Sequence, residues 1–212
     1  MHKQKVFGIG LSRTGTSSLN EALEFLGYRS VHFPIIMQNT SARAKVKYRM
    51  NRWIGEIGSK KPLFHDFCIG TENKLVFKVP NPTSFDAMTD IPVARFYKQL
   101  DEEFPNSKFI LTVRNEDGWL KSCEKFFAEG NNQFFKWIQL HFDMYGANSF
   151  NESLFRHGYR NHIKDVKAYF SARPSDLLIV DIPKGDGWNK LCEFVGLGIP
   201  QYPFPNKNVS KS

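Results

Sequence analysis

Residues 6–18 read VFGIGLSRTGTSS, an apolar run followed directly by a turn that is rich in glycine and hydroxyl side chains. Gly10 and Gly15 are spaced as in the phosphate loop G-x-x-x-x-G-K-[ST], but Thr16 stands where that loop has its lysine. The nearest cation is Arg13, inside the turn. The stretch therefore predicts a strand, an anion-binding turn and a helix, without the lysine that contacts the terminal phosphates of a nucleotide.

A strand that leads into such a turn and then into a helix directs several backbone N–H groups to one point, with the helix dipole behind them. The hydroxyls of Thr14, Thr16 and Ser17 add donors, and Gly15 allows close backbone approach. Arg13 adds a planar, permanently charged fork that suits oxyanions. The alternative is a capped turn that holds no ligand. The strand before the turn and the periodic helix after it favour anion binding.

Strand-like runs and amphipathic helices alternate along the chain. The predicted strands are 5–11, 28–33, 74–79, 108–113 and 177–181. The predicted helices are 19–26, 46–57, 93–104, 117–128, 133–145, 155–171 and 188–195. Repeats and linker-like segments are absent from the sequence, so we expect one domain over residues 1–212. The alternation predicts an α/β layer architecture with a mostly parallel sheet, whose ligands lie at the carboxyl ends of the strands.

Composition limits the class of protein. Lys and Arg outnumber Asp and Glu by 29 to 21, a balance that concentrates anionic ligands without choosing among them. The three cysteines are far apart, so we expect neither a disulfide framework nor a paired-cysteine metal site. The first strand begins at Lys5, which leaves no room for a signal or transit peptide, and no apolar run reaches the ~18 residues of a spanning helix. We expect a cytoplasmic protein without a membrane span.

A second motif follows the most strand-like run. Residues 113–122 read VRNEDGWLKS, in which Arg114 ends a strand and Ser122 lies eight residues later in the next helix. Two donors there can bind a second phosphate away from the first. The alternative for Arg114 is a surface ion pair with Glu116 or Asp117. The argument for the binding role is that both motifs occur in one chain, each after a strand.

The two motifs together resemble those of one family. LSRTGTSSL, residues 11–19, resembles the 5′-phosphosulfate loop of sulfotransferases, usually P-K-S-G-T or P-R-[ST]-G-[ST], and VRNEDGWLKS resembles their 3′-phosphate motif. Residues 85–115 and 187–208 are similar to a compact, P-loop-type sulfotransferase subfamily. The resemblance implies a P-loop NTPase-like three-layer fold with helices on both faces of the sheet.

The resemblance also implies a cofactor, 3′-phosphoadenosine-5′-phosphosulfate (PAPS), and an acceptor hydroxyl or amine on a small molecule or glycan. It implies no metal ion and no nucleic-acid partner. Carried over residue by residue, the 5′-phosphosulfate is held by Arg13, Thr14, Gly15, Thr16 and Ser17. The 3′-phosphate is held by Arg114 and Ser122, and Lys184 is a further candidate to cover it. Arg13 replaces the missing lysine at the leaving phosphate.

The general base is not specified by the resemblance. Cytosolic relatives carry a histidine in a K-T-H stretch, where this chain has Lys78-Val79-Pro80. His32, after the second strand, is the first candidate, and its alternative is a histidine that ends a strand. Asp90 and Asp86 are the next candidates, although Asp90 also suits the N-cap of a helix that has Pro92 in its first turn.

Two other functions stay open at this level. The first is an ATP- or GTP-dependent, kinase-like P-loop enzyme, since the run LLIVD ends in Asp181, as in proteins that hold Mg²⁺ there. The second is a nucleic-acid binder, suggested by the basic balance and by seven Lys and Arg in residues 41–61, which otherwise form a solvated helix face. His65-Asp66 and Lys78 are further candidates for contact with the acceptor or the leaving group.

Overall fold

Five parallel strands form the central sheet. The computed structural model describes residues 4–34, 37–38, 75–76, 85–128 and 138–206. Its strands are β1 (Val6–Gly8), β2 (Ser30–His32), β3 (Met37–Gln38), β4 (Leu75–Val76), β5 (Ala87–Thr89), β6 (Lys108–Thr112) and β7 (Leu177–Val180). The sheet has the order β2-β5-β1-β6-β7, and every neighbouring pair in it is parallel.

Helices follow the strands as the periodicity predicts. They are α1 (Thr16–Phe25), α2 (Ile91–Arg95), α3 (Tyr97–Glu103), α4 (Glu116–Phe126), α5 (Ile138–Tyr145), α6 (Glu152–Tyr169) and α7 (Trp188–Val195). The helix predicted over 93–104 is divided in two at Phe96, whose backbone leaves the helical region with φ −115° and ψ 20°. Short 3₁₀ turns, Pro174–Asp176 and Ile182–Lys184, precede and follow β7.

The molecule has three layers. Successive residues of a strand face opposite sides of the sheet. Val6 and Ile110 therefore pack against α1 and α7 on one side, while Phe7 and Phe109 pack against α3 and α6 on the other. A third buried cluster, under the loop after β1, joins α4, α5 and α6 around Trp119. The predicted P-loop-like α/β fold with a parallel sheet between helices is confirmed.

The strand predicted over 74–79 is present in part, but its place as the third strand of the main sheet was wrong. Within residues 74–79, the described pair Leu75–Val76 forms β4, which pairs antiparallel with β3 in a separate two-stranded sheet. The third strand of the main sheet is β5, Ala87–Thr89, which is buried throughout. A short strand that is buried on both faces shows no alternation of apolar and polar residues, so periodicity does not reveal it.

Several predictions fall outside the described residues. They concern the helix over 46–57, the basic stretch 41–61, His65-Asp66, Lys78 and the first part of the helix over 133–145. Along the ranges that the structure does describe, no helix is long and apolar enough to cross a membrane. In those same ranges His, Cys, Asp and Glu side chains do not gather in groups of three that suit a metal ion.

The sheet order brings the predicted site residues to one edge. The chain crosses from β1 to β2 and β5 on one flank and then to β6 and β7 on the other, so β1 is the switch point where ligands bind in open α/β sheets. The residues that follow the strands at this edge are the loop after β1, His32, Asp90, Arg114 and the turn that begins at Asp181.

A buried histidine lies directly beneath that loop. The Nε2–H of His162, on α6, donates to the carbonyl of Ile9 at 2.7 Å. Burial lowers the pKa of His162 from its usual 6.5, outweighing the hydrogen bond to Ile9 and the nearby Asp165. Burial lowers the pKa of His141 in the same direction. Both side chains are therefore held neutral in the folded protein.

Because these histidines must be neutral to stay buried, their stabilising contribution is complete above about pH 6.5 and is lost as the pH falls through the lower folded-state pKa. We expect the melting temperature to fall between pH 7 and pH 5. His162→Gln, which keeps a donor for Ile9 but does not titrate, should reduce this fall. The exposed His157→Gln is the control, and an equal effect of both variants in calorimetry would contradict the assignment.

Candidate active site

The loop after β1 is shaped by two glycines. Gly10 lies against β6 so closely that a Cβ there would be 1.8 Å from the Thr112 hydroxyl oxygen. Gly15 has φ 104°, a left-handed conformation that other residues adopt only with strain. Between them the Thr14 hydroxyl donates to the Leu11 carbonyl at 2.6 Å and lies 2.6 Å from Thr112 Oγ1. The Thr14 side chain therefore fastens the loop to β6.

Arg13 lies at the centre of the predicted site. Its backbone is left-handed, with φ 74°, and its Nε–H donates to Ser122 Oγ on α4 at 3.1 Å. Its guanidinium carbon lies 4.8 Å from the centre of the Phe126 ring, a distance typical of a cation–π contact. Ser122 thus contacts the guanidinium at Nε, and Phe126 contacts one of its faces. Neither contact uses the two terminal nitrogens as hydrogen-bond donors.

Arg114 lies beside Arg13. The Tyr159 hydroxyl accepts from the Arg114 backbone N–H at 2.9 Å and donates to its carbonyl at 2.6 Å. The side chain lies over Gly118, and its Nη1 is 3.5 Å from the Arg13 carbonyl, the outer limit of a hydrogen bond. The structure therefore brings Arg13 together with Arg114 and Ser122, which lie more than a hundred residues further along the chain.

The carboxylates near Arg114 in sequence contact other arginines. Glu116 forms ion pairs with Arg160 and Arg156 on α6, and Asp117 pairs with Arg156. The Arg160 guanidinium, followed by Arg156, lowers the pKa of the Glu116 carboxyl. Glu116 and Asp117 therefore do not form the surface ion pair with Arg114 that was the alternative for this residue.

The N-terminus of α1 faces the same region. Its N-cap is Gly15, no side chain caps its first N–H groups, and no acidic residue lies in its first turn. Thr16 is buried at the first position, and Ser17 is half-buried at the second. Uncapped N–H groups and a positive dipole end beside two arginines favour a bound anion.

The turn after β7 covers the other side of Gly15. A Cβ on Gly15 would lie 3.3 Å from Ile182 Cβ and 3.7 Å from Pro183 Cδ. Lys184 ends this turn with an exposed side chain, and its backbone N–H donates to the Asp181 carboxylate at 3.0 Å. The predicted site residue Lys184 thus belongs to a segment that lies against the loop.

His32 and Asp90 also meet at this edge. His32 Nε2 lies 3.0 Å from Ser17 Oγ and 3.3 Å from Asp90 Oδ2, and His32 Nδ1 lies 2.9 Å from Thr89 Oγ1. Asp90 Oδ1 accepts from Ser12 Oγ at 2.6 Å and from the backbone N–H of Ile91. The two candidates for the base are therefore in contact with each other.

The neighbouring hydrogen bonds allow a tautomer of His32 that can act as a base. Asn20 donates through its amide nitrogen to Glu24, so its amide oxygen faces Thr89 and accepts from the Thr89 hydroxyl at 3.4 Å. The Thr89 oxygen can then accept from His32 Nδ1–H. In the tautomer with the proton on Nδ1, Nε2 carries the lone pair and can accept from the Ser17 hydroxyl.

Asp90 combines burial with a strained backbone. It is 6% exposed, and its φ of 90° and ψ of −179° lie in a region that is essentially restricted to glycine. A non-glycine residue in such a conformation costs on the order of 1–3 kcal/mol, and such residues cluster at functional sites. Asp90 is also the N-cap of α2, as the sequence predicts.

The chain is similar to known proteins over nearly its whole length. Residues 5–212 match the family described as "Sulfotransferase domain". The chain belongs to this sulfotransferase family. It is 28% identical over 220 residues to "Ava biosynthesis cluster protein M" of Aspergillus versicolor, covering 95% of this chain and 80% of that protein. A sulfotransferase from Alicyclobacillus acidocaldarius has a similar fold, with TM-score 0.50 and 11% identity over all of this chain and 87% of that one.

The sulfotransferase domain implies a transferase, and the structure brings most of the predicted site residues together. Arg13, Arg114 and Ser122 lie together, Gly15, Thr16 and Ser17 form the start of α1, and His32 contacts Asp90. Asp86 as a base was wrong. It precedes β5 at the opposite edge, where Arg29 hydrogen-bonds to it and lowers its pKa to about 2.

Three residues of the candidate site were missed from the sequence. Ser12 donates to Asp90, the Trp119 indole N–H donates to the Ser12 carbonyl at 2.9 Å, and Phe126 packs on Arg13. Trp119 and Phe126 follow the helical periodicity of α4 and are explained as core residues on that basis. Ser12 stands where the sulfotransferase loop has proline, and that departure was the available signal.

Asp181, which suggested a nucleoside-triphosphate-dependent enzyme, has a local role in this sulfotransferase. Its carboxylate caps the 3₁₀ turn by accepting from Lys184 N–H, and its own N–H donates to Asp186 at 2.8 Å. This capping role accounts for the aspartate at the end of the LLIVD run without a role in holding Mg²⁺.

The strain at Asp90 predicts a difference between two substitutions. Asp90→Ala and Asp90→Gly both remove the carboxylate, but only glycine relaxes at φ 90°. We expect the glycine variant to be more stable by about 1–3 kcal/mol in urea unfolding.

Part of this difference arises because glycine is also the better N-cap. The matched control is Asn151, the N-cap of α6, which has an ordinary extended backbone with φ −139° and ψ 113°. If the Gly–Ala difference at Asp90 is no larger than the difference at Asn151, the backbone of Asp90 is not strained.

Proposed function

We propose that this protein transfers a sulfuryl group from PAPS to an acceptor hydroxyl or amine. The observation that carries the proposal is the convergence of Arg13, Arg114 and Ser122 beside the uncapped N-terminus of α1. It supports two anion sites at adjoining strand ends, as a nucleotide with separate 5′ and 3′ phosphates requires. Family membership supports the transferred group.

The residues present fit PAPS. One donor set consists of the N–H groups at the start of α1, the Ser17 hydroxyl and the terminal nitrogens of Arg13, and suits the 5′-phosphosulfate. The other consists of Arg114 and Ser122, and suits the 3′-phosphate. Burial raises the pKa of the Cys123 thiol, while Arg13 and Arg114 act on it in the opposite direction, so both cations act on one region. Lys184 extends this positive region.

When bound, PAPS supplies an activated sulfuryl group whose bond to the 5′-phosphate breaks as the acceptor oxygen or nitrogen bonds to sulfur. Arg13 and the α1 N–H groups then stabilise the negative charge on the leaving phosphate. Preorganised donors of this kind are each worth ~3–4 kcal/mol in rate. Because no γ-phosphate is held, Arg13 can serve where a nucleotide-hydrolysing loop needs lysine. No metal ion is part of the proposal.

His32 is the proposed base. In the tautomer with the proton on Nδ1, its Nε2 carries the lone pair and faces the loop through Ser17. When Nε2 takes the acceptor proton, Asp90 Oδ2 at 3.3 Å becomes the partner of the new N–H. Asp90 therefore stabilises the charged ring, while Oδ1 stays bonded to Ser12 and Ile91. The two candidates for the base act as one unit.

The proposed acceptor is a small molecule or glycan that presents a hydroxyl or amine. The relative from Aspergillus versicolor is named a biosynthesis cluster protein, which supports a small molecule. Radiolabelled PAPS offered to pooled metabolites and glycans would identify the acceptor. The cytoplasm is the proposed compartment, and no nucleic-acid partner is proposed.

Arg114→Ala tests the assignment of the phosphates. We expect it to weaken binding of adenosine 3′,5′-bisphosphate by about 10- to 100-fold, the effect of losing a hydrogen-bonded charge, and to leave binding of AMP nearly unchanged. Arg13→Ala should weaken both ligands. Calorimetric titration measures all four values, and Arg173→Ala, which lies before β7 at the opposite edge, is the control.

If Arg114→Ala loses affinity equally for AMP and for the bisphosphate, the 3′-phosphate assignment is contradicted. A larger rise in melting temperature with MgATP than with the bisphosphate, in the wild-type protein, would contradict the proposed function. That result would favour the ATP- or GTP-dependent alternative.

His32→Ala and Asp90→Asn test the base. We expect His32→Ala to lower turnover by about 10²–10⁴-fold, the usual contribution of general base catalysis, with unchanged affinity for the bisphosphate. Asp90→Asn should lower turnover less, because the imidazole remains. His157→Ala, on the outer part of α6, is the control. A His32→Ala variant with normal turnover on the screened acceptor would remove His32 from the mechanism.

A further inference from the structure

Ser12 links the nucleotide loop, which is the loop after β1, to the proposed base through a hydrogen bond to Asp90. It is 6% exposed and belongs to the loop, one residue before Arg13. Its carbonyl accepts from the Trp119 indole N–H at 2.9 Å, which fixes its backbone to α4. Its hydroxyl donates to Asp90 Oδ1 at 2.6 Å, a short bond to a buried carboxylate.

This bond determines which oxygen of Asp90 faces His32. The backbone N–H of Ile91 and the Ser12 hydroxyl both donate to Oδ1, and Oδ2 lies 3.3 Å from His32 Nε2. With two donors on one oxygen, rotation of the carboxylate would break both bonds in a buried site, which is costly. The other oxygen is thereby held toward the imidazole.

We propose that Ser12 is a positioning residue, which orients His32 through Asp90 and so couples the nucleotide loop to the base. The inference rests on the proposed function, because it concerns the same proton transfer. The proline in the family's loop motif has no hydroxyl, so this coupling belongs to the serine that this chain carries. Ser12 has no contact with reacting atoms in this role.

Ser12→Ala is the test, with Ser12→Thr as the variant that keeps the hydroxyl. The control is Ser107→Ala, which removes the hydroxyl of another buried serine at the opposite edge, where Ser107 donates to the Phe104 carbonyl. We expect Ser12→Ala to lower sulfuryl transfer, to water or to the screened acceptor, by about 10-fold, with unchanged affinity for adenosine 3′,5′-bisphosphate. Ser12→Thr should restore most of the rate.

A second measurement needs no turnover. The imidazole ¹⁵N resonances of His32, followed by NMR in the nucleotide-free protein, should change in Ser12→Ala and stay unchanged in Ser107→Ala. In an Asp90→Gly background, which has no side-chain oxygen at this position, the same Ser12 substitution should change neither the resonances nor the rate further, because the effect passes through Asp90.

The outcomes separate the two proposals. Two results would overturn the positioning role and leave the proposed function intact. The first is that the His32 resonances do not change in Ser12→Ala, and the second is that Ser12→Ala lowers the transfer rate equally with and without the Asp90 carboxylate. A loss of bisphosphate affinity equal to the loss in rate would make Ser12 a structural part of the loop, and would also overturn the inference. A wild-type protein that does not bind the bisphosphate would refute the proposed function itself.

Discussion

Buried hydrogen bonds to the loop after β1 are the constraint on which the candidate active site depends. His162 holds the Ile9 carbonyl, Thr14 and Thr112 join their hydroxyls, and Trp119 holds the Ser12 carbonyl. These bonds come from α6, β6 and α4, so elements from across the chain fix one short segment. A buried polar group that loses its partner costs about 1–3 kcal/mol, and the loop conformation is strongly determined as a result.

Three of the four non-glycine residues with positive φ in the described ranges lie at the same edge of the sheet as this loop. They are Arg13, Phe33 and Asp90, and the fourth, Asn106, lies in the turn before β6. Strain of this kind persists where surrounding contacts determine the backbone more strongly than the residue's own preference. At Asp90 those contacts are Ser12, His32 and the first turn of α2. Contacts within the protein thus determine the geometry of the candidate site, which reduces the reorganisation needed for charge stabilisation.

Much of this architecture follows from sequence because its signals are local. The strand, turn and helix around Gly15, the strand that ends near Arg114 and the N-cap at Asp90 each follow from neighbouring residues. β5 was missed because its three residues are all buried and show no alternation of apolar and polar side chains. Ser12 was missed because its partner Asp90 is 78 residues away, so only tertiary structure reveals the bond. The ligand-binding roles of Arg13, Arg114 and Lys184 remain predictions.

The order of the strands has a consequence for divergence within the family. β1 divides the sheet into two flanks: β2 and β5 carry His32 and Asp90, whereas β6 and β7 lead to Arg114 and Lys184. In the proposed function, nucleotide binding and acceptor activation therefore belong to separate stretches of chain. We expect substitutions on the first flank to change which compound is modified and to leave the nucleotide preference of the second flank unchanged.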